Sequence, residues 1–332
     1  MFYLTDKYCK SLNSWRPVTG RNLTLVLFLL TSLLAAGCTD PDDATVELNV
    51  DPELGQAVFL QPEDAANAFT LAVADDDKTM MRQILGEDYR AVLPLDKVDG
   101  EDIDNYIRAW EQAHTLLPEG EHKRMLAVGE GKWTLPLPIV QGDTGWYFDI
   151  PEGLERMRIR RMGRNELATI QAILAYYDGQ MEYAEQDRNA DGLLEYARRV
   201  ISTPGTQDGL YWDTAEGEPQ SPLGPLMGDH TPGGGYHGYY YRILEGQGED
   251  ARGGAYSYLI GDRMRAGFAA VAWPIEYGES GVMSFMVSHD GIVYESNLGE
   301  DTASVAASMT LYNPGAGWSP VQEVNGPQAD SR

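Results

Sequence analysis

Oxygen-bearing side chains alternate in the segment DRNADGLLEYA, residues 187–197. A glycine follows the third of them and permits a tight bend, so that the side chains can converge on one point. Calcium prefers several oxygen ligands in a flexible cage of this kind. The spacing predicts a structural calcium ion, with ligands from the side chains of Asp187, Asn189, Asp191 and Glu195 and the carbonyl of Leu193.

The position of the last expected ligand holds a cation. An EF-hand-like loop ends in a glutamate that binds calcium through both oxygens, and Arg198 stands at that place. This substitution predicts weak binding. The alternative is a polar turn between two helices, in which Asp191 caps the second helix. Both interpretations predict a helix over the following segment, LLEYARRVIS.

The glycine- and tyrosine-rich segment TPGGGYHGYYYRIL contains the candidate catalytic histidine, His237. Glycines let the backbone approach a ligand closely, and tyrosine rings offer flat faces to a sugar. An acid such as Glu276 or Asp229 would serve beside it in general acid–base catalysis of a hydrolysis. The motifs GxSxG, HExxH and CxxC are absent from the sequence. The alternative is a histidine satisfied within an aromatic turn.

Aromatic residues of the C-terminal half suggest a second kind of site. Exposed tryptophan and tyrosine rings are typical of binding surfaces. Convergence separates the two hypotheses, because a hydrolase needs His237 and Glu276 in one pocket with the aromatic side chains. The predicted contacts for a protein or glycan partner are Trp212, Tyr236, Tyr239 and Tyr240.

Composition excludes several classes of function. The 332 residues are 43% hydrophobic, which indicates a folded chain. A formal net charge of −26 would repel a phosphate backbone, so nucleic acid is not a predicted partner. Five histidines and two cysteines leave little material for a zinc or thiol site.

The N-terminus has the pattern of a secretory signal peptide over residues 1–37. Basic residues precede the apolar run LTLVLFLLTSLLAA, which is shorter than the ~20 residues that span a bilayer. The sequence LLAAGC resembles the lipobox of bacterial lipoproteins. That resemblance implies that Cys38 is a lipid anchor in the cell envelope and that Thr39 favours the outer membrane, facing the periplasm or the exterior. The alternative is a cleaved signal with a coincidental cysteine.

The mature chain is predicted to be α+β, with two lobes of helices packed on mainly antiparallel sheets. We expect an acidic tether over 38–56, an N-terminal lobe over 57–162, a C-terminal lobe over 163–318 and a disordered tail over 319–332. The predicted helices begin at residues 62, 78 and 103, the last ending at 117, and a further helix covers 165–185. Strands are predicted between 123 and 150, over 154–163 and in a hairpin around HDG.

The predicted strand LERMRIRRMG contains the main concentration of basic residues. Alternation along a strand would place Arg156, Arg158 and Arg160 on one face, where they could meet an anionic lipid, glycan or protein. Ion pairing within so acidic a chain is the alternative.

Several motifs together carry a resemblance: RRMGRNELATI, YAEQDRNADGLLEYA, DGLYW, SPLGPL, YHGYYYRIL and GFAAVAWPIEYGESGVMSF. From about Phe59 to Trp318 the chain resembles one uncharacterised family of bacterial exported proteins, a domain of unknown function. The resemblance implies a shared fold and cellular address and no established activity. The C-terminal half is also similar to the soluble part of type IV pilin-like proteins, through Ala272-Trp273-Pro274, Gly281, Phe285 and Gly291.

Overall fold

The computed structural model describes residues 48–93, 100–214, 217, 220–224 and 235–322. The predicted signal peptide, the predicted anchor Cys38 and the first part of the predicted tether lie outside these ranges, as does Asp229. The end of that tether is ordered as a small hairpin, because Val50–Asp51 (β1) pairs with Gln56–Ala57 (β2). Leu48 packs against the core of the N-terminal lobe.

The first two helices of the N-terminal lobe begin where the local sequence predicts them, whereas a short third helix was not predicted and the helix predicted from residue 103 begins at Gly100. Pro62–Ala74 (α1) has proline in its first turn together with two acids, which favour the positive end of the helix dipole. Lys78–Leu85 (α2) is capped by the Asp77 side chain, which accepts from the amides of Thr79 and Met80. Tyr89–Val92 (α3) and Gly100–Gln112 (α4) follow. The prediction that the last of these reaches residue 117 is wrong, because the chain there forms a strand.

One antiparallel sheet completes this lobe, as predicted. Its order is β3-β4-β6-β7, with β5 paired to β4. Phe69, Ile84 and Phe148 are fully buried in the cluster between the helices and this sheet. The strands are His114–Pro118 (β3), Lys123–Val128 (β4), Trp133–Thr134 (β5), Ile139–Gln141 (β6) and Trp146–Phe148 (β7).

A single helix of 34 residues, Ile150–Tyr183 (α5), joins the two lobes. Asp149 caps it by accepting from the Glu152 amide at 3.0 Å. The predicted strand over 154–163 is therefore wrong, and the predicted helix over 165–185 is confirmed with an earlier start. Arg156 pairs with Glu152 at 2.6 Å, one turn away, as the ion-pairing alternative predicts. The predicted boundary between residues 162 and 163 lies inside this helix.

The C-terminal lobe is built on a five-stranded antiparallel sheet of order β16-β15-β14-β13-β8. The predicted hairpin around HDG is confirmed as β14–β15. Residues 319–320 of the predicted disordered tail form the edge strand β16, and residues 323–332 lie outside the described residues. The elements are Tyr239–Leu244 (β8), Gly246–Gln247 (β9), Tyr256–Ser257 (β10), Leu259–Ile260 (β11), Arg263–Met264 (β12), Ala269–Pro274 (β13), Ser284–Ser288 (β14), Val293–Ser296 (β15), Thr302–Ser308 (α6) and Ser319–Pro320 (β16).

The helix predicted over LLEYARRVIS does not form. Residues 193–202 have no helical turn and run across the lobe instead. The Gln180 side chain bonds both the amide and the carbonyl of Ala197 at 2.8 Å, and the Tyr196 amide donates to the Met264 carbonyl. These tertiary hydrogen bonds satisfy the backbone groups that a helix would otherwise pair.

Each lobe has its own hydrophobic cluster, and α5 contributes to both. Met157 packs on the N-terminal cluster, whereas Ile173 and Tyr183 are buried in the C-terminal one. In the C-terminal lobe the helix packs over β13, β14 and β15. The edge strand β8 extends the sheet on the far side of β13. The predicted α+β class is confirmed, with helices packed on antiparallel sheets.

Candidate functional site: an apolar groove at a sheet edge

A groove of about 270 Å³ lies along the edge of the C-terminal sheet, between β8 and the side of α5. Its second wall is the non-helical segment that replaces the predicted helix. All but one of the residues that line it are uncharged, and most are apolar. The walls comprise Ala172, Ile173 and Tyr176 from α5, Val200, Ile201 and Leu223 from the loops, Gly235 and Tyr236 before β8, Tyr240 to Ile243 within it, and Ala270.

Strand alternation determines which side chains reach the groove from each face of β8. Tyr241 lies on the helix side, where its hydroxyl donates to the Thr169 hydroxyl at 3.3 Å and burial raises its pKa to about 12. Tyr240 and Arg242 lie on the opposite face, both against the Trp273 ring. The groove therefore opens at the sheet edge itself.

Two apolar side chains at the groove are substantially exposed. Tyr240 retains 38% of its accessible surface and Ile201 39%. Large apolar side chains that face solvent beside an apolar groove are typical of a binding surface. The groove is therefore a candidate contact site.

The four predicted contact residues do not lie together. Tyr236 and Tyr240 line the groove. Tyr239 does not, because its ring is fully buried and its hydroxyl donates to the Met283 carbonyl at 2.9 Å. Trp212 is half-buried beneath Arg188, whose guanidinium lies 4.9 Å from its ring centroid. Neighbouring side chains of β8 face opposite sides of the sheet, and the Tyr239 side chain faces the core.

The candidate catalytic residues are not among those that line the groove. His237 is exposed, has the left-handed φ of +50°, and stacks its ring edge-on against Tyr236 at 4.1 Å. Among the described residues it has no hydrogen-bond partner. Glu276 is also exposed, and it is its main chain that bonds the Ser280 hydroxyl. The convergence that a hydrolase needs is thus not seen in the described part of the chain.

The acidic loop has a well-defined hydrogen-bond pattern. Asp187 accepts from the amide of Gly192 at 2.8 Å, and Asn189 accepts from the amide of Asp191 at 3.0 Å. Asp191 in turn accepts from the amide of Leu193 at 3.0 Å. Gly192 has a φ of +85°, which allows the bend. The loop folds back on its own carboxylates as a polar turn, but Asp191 does not cap a helix, because the segment that follows is not helical.

Two arginines contact the same carboxylates. Arg265 lies 2.5 Å from Asp191, and Arg263 lies 3.1 Å from the buried Glu195. Although burial raises the pKa of Asp191, the Leu193 amide and Arg265 hold it below its ordinary value. No group of three or more histidine, cysteine, aspartate or glutamate side chains within the described ranges is arranged to hold a metal. Calcium binding stays a prediction, and the arginines would compete with the ion.

This competition gives the calcium hypothesis a test. We expect millimolar calcium to raise the melting temperature of an Arg265→Gln variant more than that of the wild type, because the substitution frees Asp191 for the ion. Calcium at 100 times its dissociation constant adds about 2.7 kcal/mol. Thermal unfolding in EGTA and in calcium measures the difference, with Asp187→Ala as the control that loses a ligand. A calcium site would be contradicted if none of the three proteins had a higher melting temperature in calcium than in EGTA.

The sequence predicts only a turn around His289, and the structure gives this residue partners. Its Nε2 lies 3.3 Å from the Tyr256 hydroxyl, and its ring is edge-on to Tyr258. Its Nδ1 is buried without a hydrogen bond to any described residue. The groove residues Ala172, Ile201 and Leu223 were also not predicted. They come from three separate segments with no shared motif.

The described chain is thus an α+β protein with an apolar groove at a sheet edge. None of its described helices has the length and apolar character needed to cross a membrane. The chain belongs to the family described as "Protein of unknown function (DUF2950)", whose model matches residues 56–321. No curated protein and no solved structure matches it. The similarity to pilin-like domains stays a prediction.

Proposed function

We propose that this protein is an envelope lipoprotein that binds a protein or glycan partner without catalysis, and that the groove beside β8 is its contact surface. The observation that carries the proposal is the apolar groove with Tyr240 and Ile201 exposed at its rim. Burial of such side chains by a partner provides about 25 cal/mol per Å² of apolar surface.

The sequence supports the cellular address. A basic flank, an apolar run and LLAAGC precede the folded region, and Cys38 would carry the lipid that attaches the protein to the outer membrane. A periplasmic hydrolase that acts on a cell-wall or polysaccharide substrate is the alternative function. It has less support, because neither His237 nor Glu276 lines the groove, and no hydrogen bond joins their side chains in the described part of the chain.

Site-specific photo-crosslinking in intact cells tests the proposal. We expect a photoreactive amino acid at Tyr240 to give a discrete crosslinked species in the membrane fraction, because this side chain lies at the groove. The same amino acid at Leu60, which is 86% exposed and lies in the N-terminal lobe, serves as the control. A Cys38→Ser variant should lose both membrane attachment and the crosslink if the partner resides at the membrane.

A groove-filling substitution makes the test specific. Ala172 lies on α5, and leucine there keeps the helix propensity while its side chain occupies the groove. Ala172→Leu should reduce the Tyr240 crosslink about tenfold, the effect of ~1.4 kcal/mol of lost binding. An equally strong crosslink in that variant, or equal products from Tyr240 and Leu60, would contradict the groove as contact surface.

A further inference from the structure

The edge strand β8 directs a defined set of main-chain groups away from its sheet. Tyr239 lies opposite Pro274, which has no N–H, so this pair does not exchange hydrogen bonds. Pairs alternate along an antiparallel ladder, and so Tyr240 and Arg242 bond β13 whereas Tyr241 and Ile243 point their N–H and C=O outward. Tyr239 agrees with this assignment, because its N–H and C=O both bond Tyr236 on the outer side.

The outward groups of Tyr241 and Ile243 have no hydrogen-bond partner among the described residues. Pairing on the same side resumes at each end of this stretch. The carbonyl of Glu245 accepts from the Tyr258 amide at 2.9 Å, and Tyr236 covers Tyr239. Within the described residues the unpaired edge is therefore a short stretch, residues 241–243, which we call the window, and it lies along the groove. An edge of this kind is a template for pairing with another strand.

The side chains around the window are complementary to a strand that is apolar on one face and acidic on the other. On the helix side, Ile173 and Tyr176 are buried and line the groove. On the other face, Arg242 is the charged residue of the lining, in a chain of net charge −26. Its Nη1 donates to the carbonyls of Ala307 and Met309, whereas its Nε and Nη2 have no bond to a described residue. A carboxylate would complement those two donors.

We propose that the groove receives an extended segment of a partner protein, which adds to β8 as a sixth strand. In this arrangement the segment bonds the outward groups of Tyr241 and Ile243. The residues opposite those two face Ile173 and Tyr176 and are apolar, and the residue between them is an aspartate or glutamate that faces Arg242. The inference rests on the proposed function and specifies its partner. A glycan or an acyl chain lacks the regular N–H and C=O groups that pair along an edge.

Hydrogen exchange of the full chain tests strand addition directly. The probe is an acetylated, amidated heptapeptide, Thr-Thr-Val-Glu-Val-Thr-Thr. At millimolar peptide we expect exchange of the Tyr241 and Ile243 amides to slow at least tenfold, because both gain acceptors. The control is the same peptide N-methylated at both valines, which keeps the side chains, removes the donors to the carbonyls of Tyr241 and Ile243, and places methyl groups between the two strands. It should give no protection.

A charge exchange tests the predicted pattern. A peptide with lysine in place of glutamate should protect the window less than the glutamate peptide does. An Arg242→Gln variant should lose this preference. Fluorescence anisotropy of the labelled peptides measures the affinities independently of exchange, and far-UV circular dichroism establishes that the variant is folded.

Three results would overturn the inference. Amides of the window that are already protected in the free protein would show that the edge is occupied. Protection that rises with protein concentration alone would indicate pairing between two copies of the chain. Absence of protection by the glutamate peptide, with a Tyr240 crosslink that persists, would exclude strand addition while leaving the proposed function intact. Equal crosslinking from Tyr240 and Leu60 would instead contradict the proposed function.

Discussion

Replacement of Phe268 by alanine is expected to lower the free energy of unfolding by about 3–5 kcal/mol. The ring is fully buried in the C-terminal cluster. It makes edge contacts with Tyr176 and Tyr196, at centroid distances of 5.8 and 4.8 Å, and a tilted contact with Tyr177. Such aromatic pairs contribute ~0.5–1.5 kcal/mol beyond burial. A cavity at this position would remove all of these contacts together.

Chemical denaturation measures this loss. Phe268→Leu is the matched variant, because it keeps part of the volume and should cost less than the alanine substitution. Leu60→Ala, at an exposed position, should change the stability by no more than about 0.5 kcal/mol. A Phe268→Ala protein with wild-type stability would contradict the packing described for the C-terminal lobe.

Glu166→Ala is expected to destabilise the protein by about 1–3 kcal/mol. One carboxylate oxygen of Glu166, on α5, accepts from the amides of Val282 at 2.8 Å and Met283 at 3.0 Å. Alanine would leave both amides without their acceptor, and a donor that loses its partner costs more than the hydrogen bond contributes on average. The loop before β14 would then lose two of its hydrogen bonds to the helix, while the Asn165 side chain would still donate to the Ser280 carbonyl.

Two variants separate the hydrogen bonds from a general effect on the helix. Glu166→Gln keeps an acceptor oxygen at the same place, so it should retain most of the stability. Glu182→Ala removes an exposed carboxylate from the same helix and should have little effect. Denaturation midpoints compare the four proteins. Equal losses in Glu166→Ala and Glu182→Ala would contradict the role assigned to the two amides.

Elements with strong local signals were predictable from the sequence. Pro62 followed by two acids predicts the start of α1, and Asp77 followed by an apolar periodicity predicts α2. The glycine after His289 and Asp290 predicts the β14–β15 hairpin. In each case the residues that determine the conformation are neighbours in the sequence. The hydrogen bonds and caps that they form are therefore visible in the pattern.

The N-terminal half of α5 was not predictable by alternation alone. Arg156 and Arg158 alternate with apolar residues, a pattern that indicates a strand. In the structure, Arg158 pairs with Glu155 three residues before it, and Asp149 caps the helix. Charge spacing of three and four residues was the available signal for a helix. Alternation of apolar and charged residues over so short a stretch is compatible with the period of a strand and with that of a helix.

The helix prediction for the segment after the acidic loop was wrong for a different reason. Its composition favours a helix, but Gln180 and Met264 bond its backbone from distant parts of the chain. Tertiary contacts of this kind leave no trace in a local pattern. The groove shares this property, because Ala172, Ile201 and Ile243 meet only once the lobe has folded. Tyr236 and Tyr240 were predicted as contact residues from their aromatic character, whereas the facing of Tyr239 toward the core required the strand register.

The length of α5 sets the distance between the N-terminal lobe and the groove. A helix rises 1.5 Å per residue, so 34 residues form a rod of about 50 Å. Ala172, at the groove, lies roughly 33 Å along this rod from its first residue. Both lobes pack on the same helix. The distance between the N-terminal lobe and β8 is therefore set by the geometry of the helix backbone rather than by a flexible linker. A partner at β8 would therefore be held at a fixed distance from the N-terminal lobe.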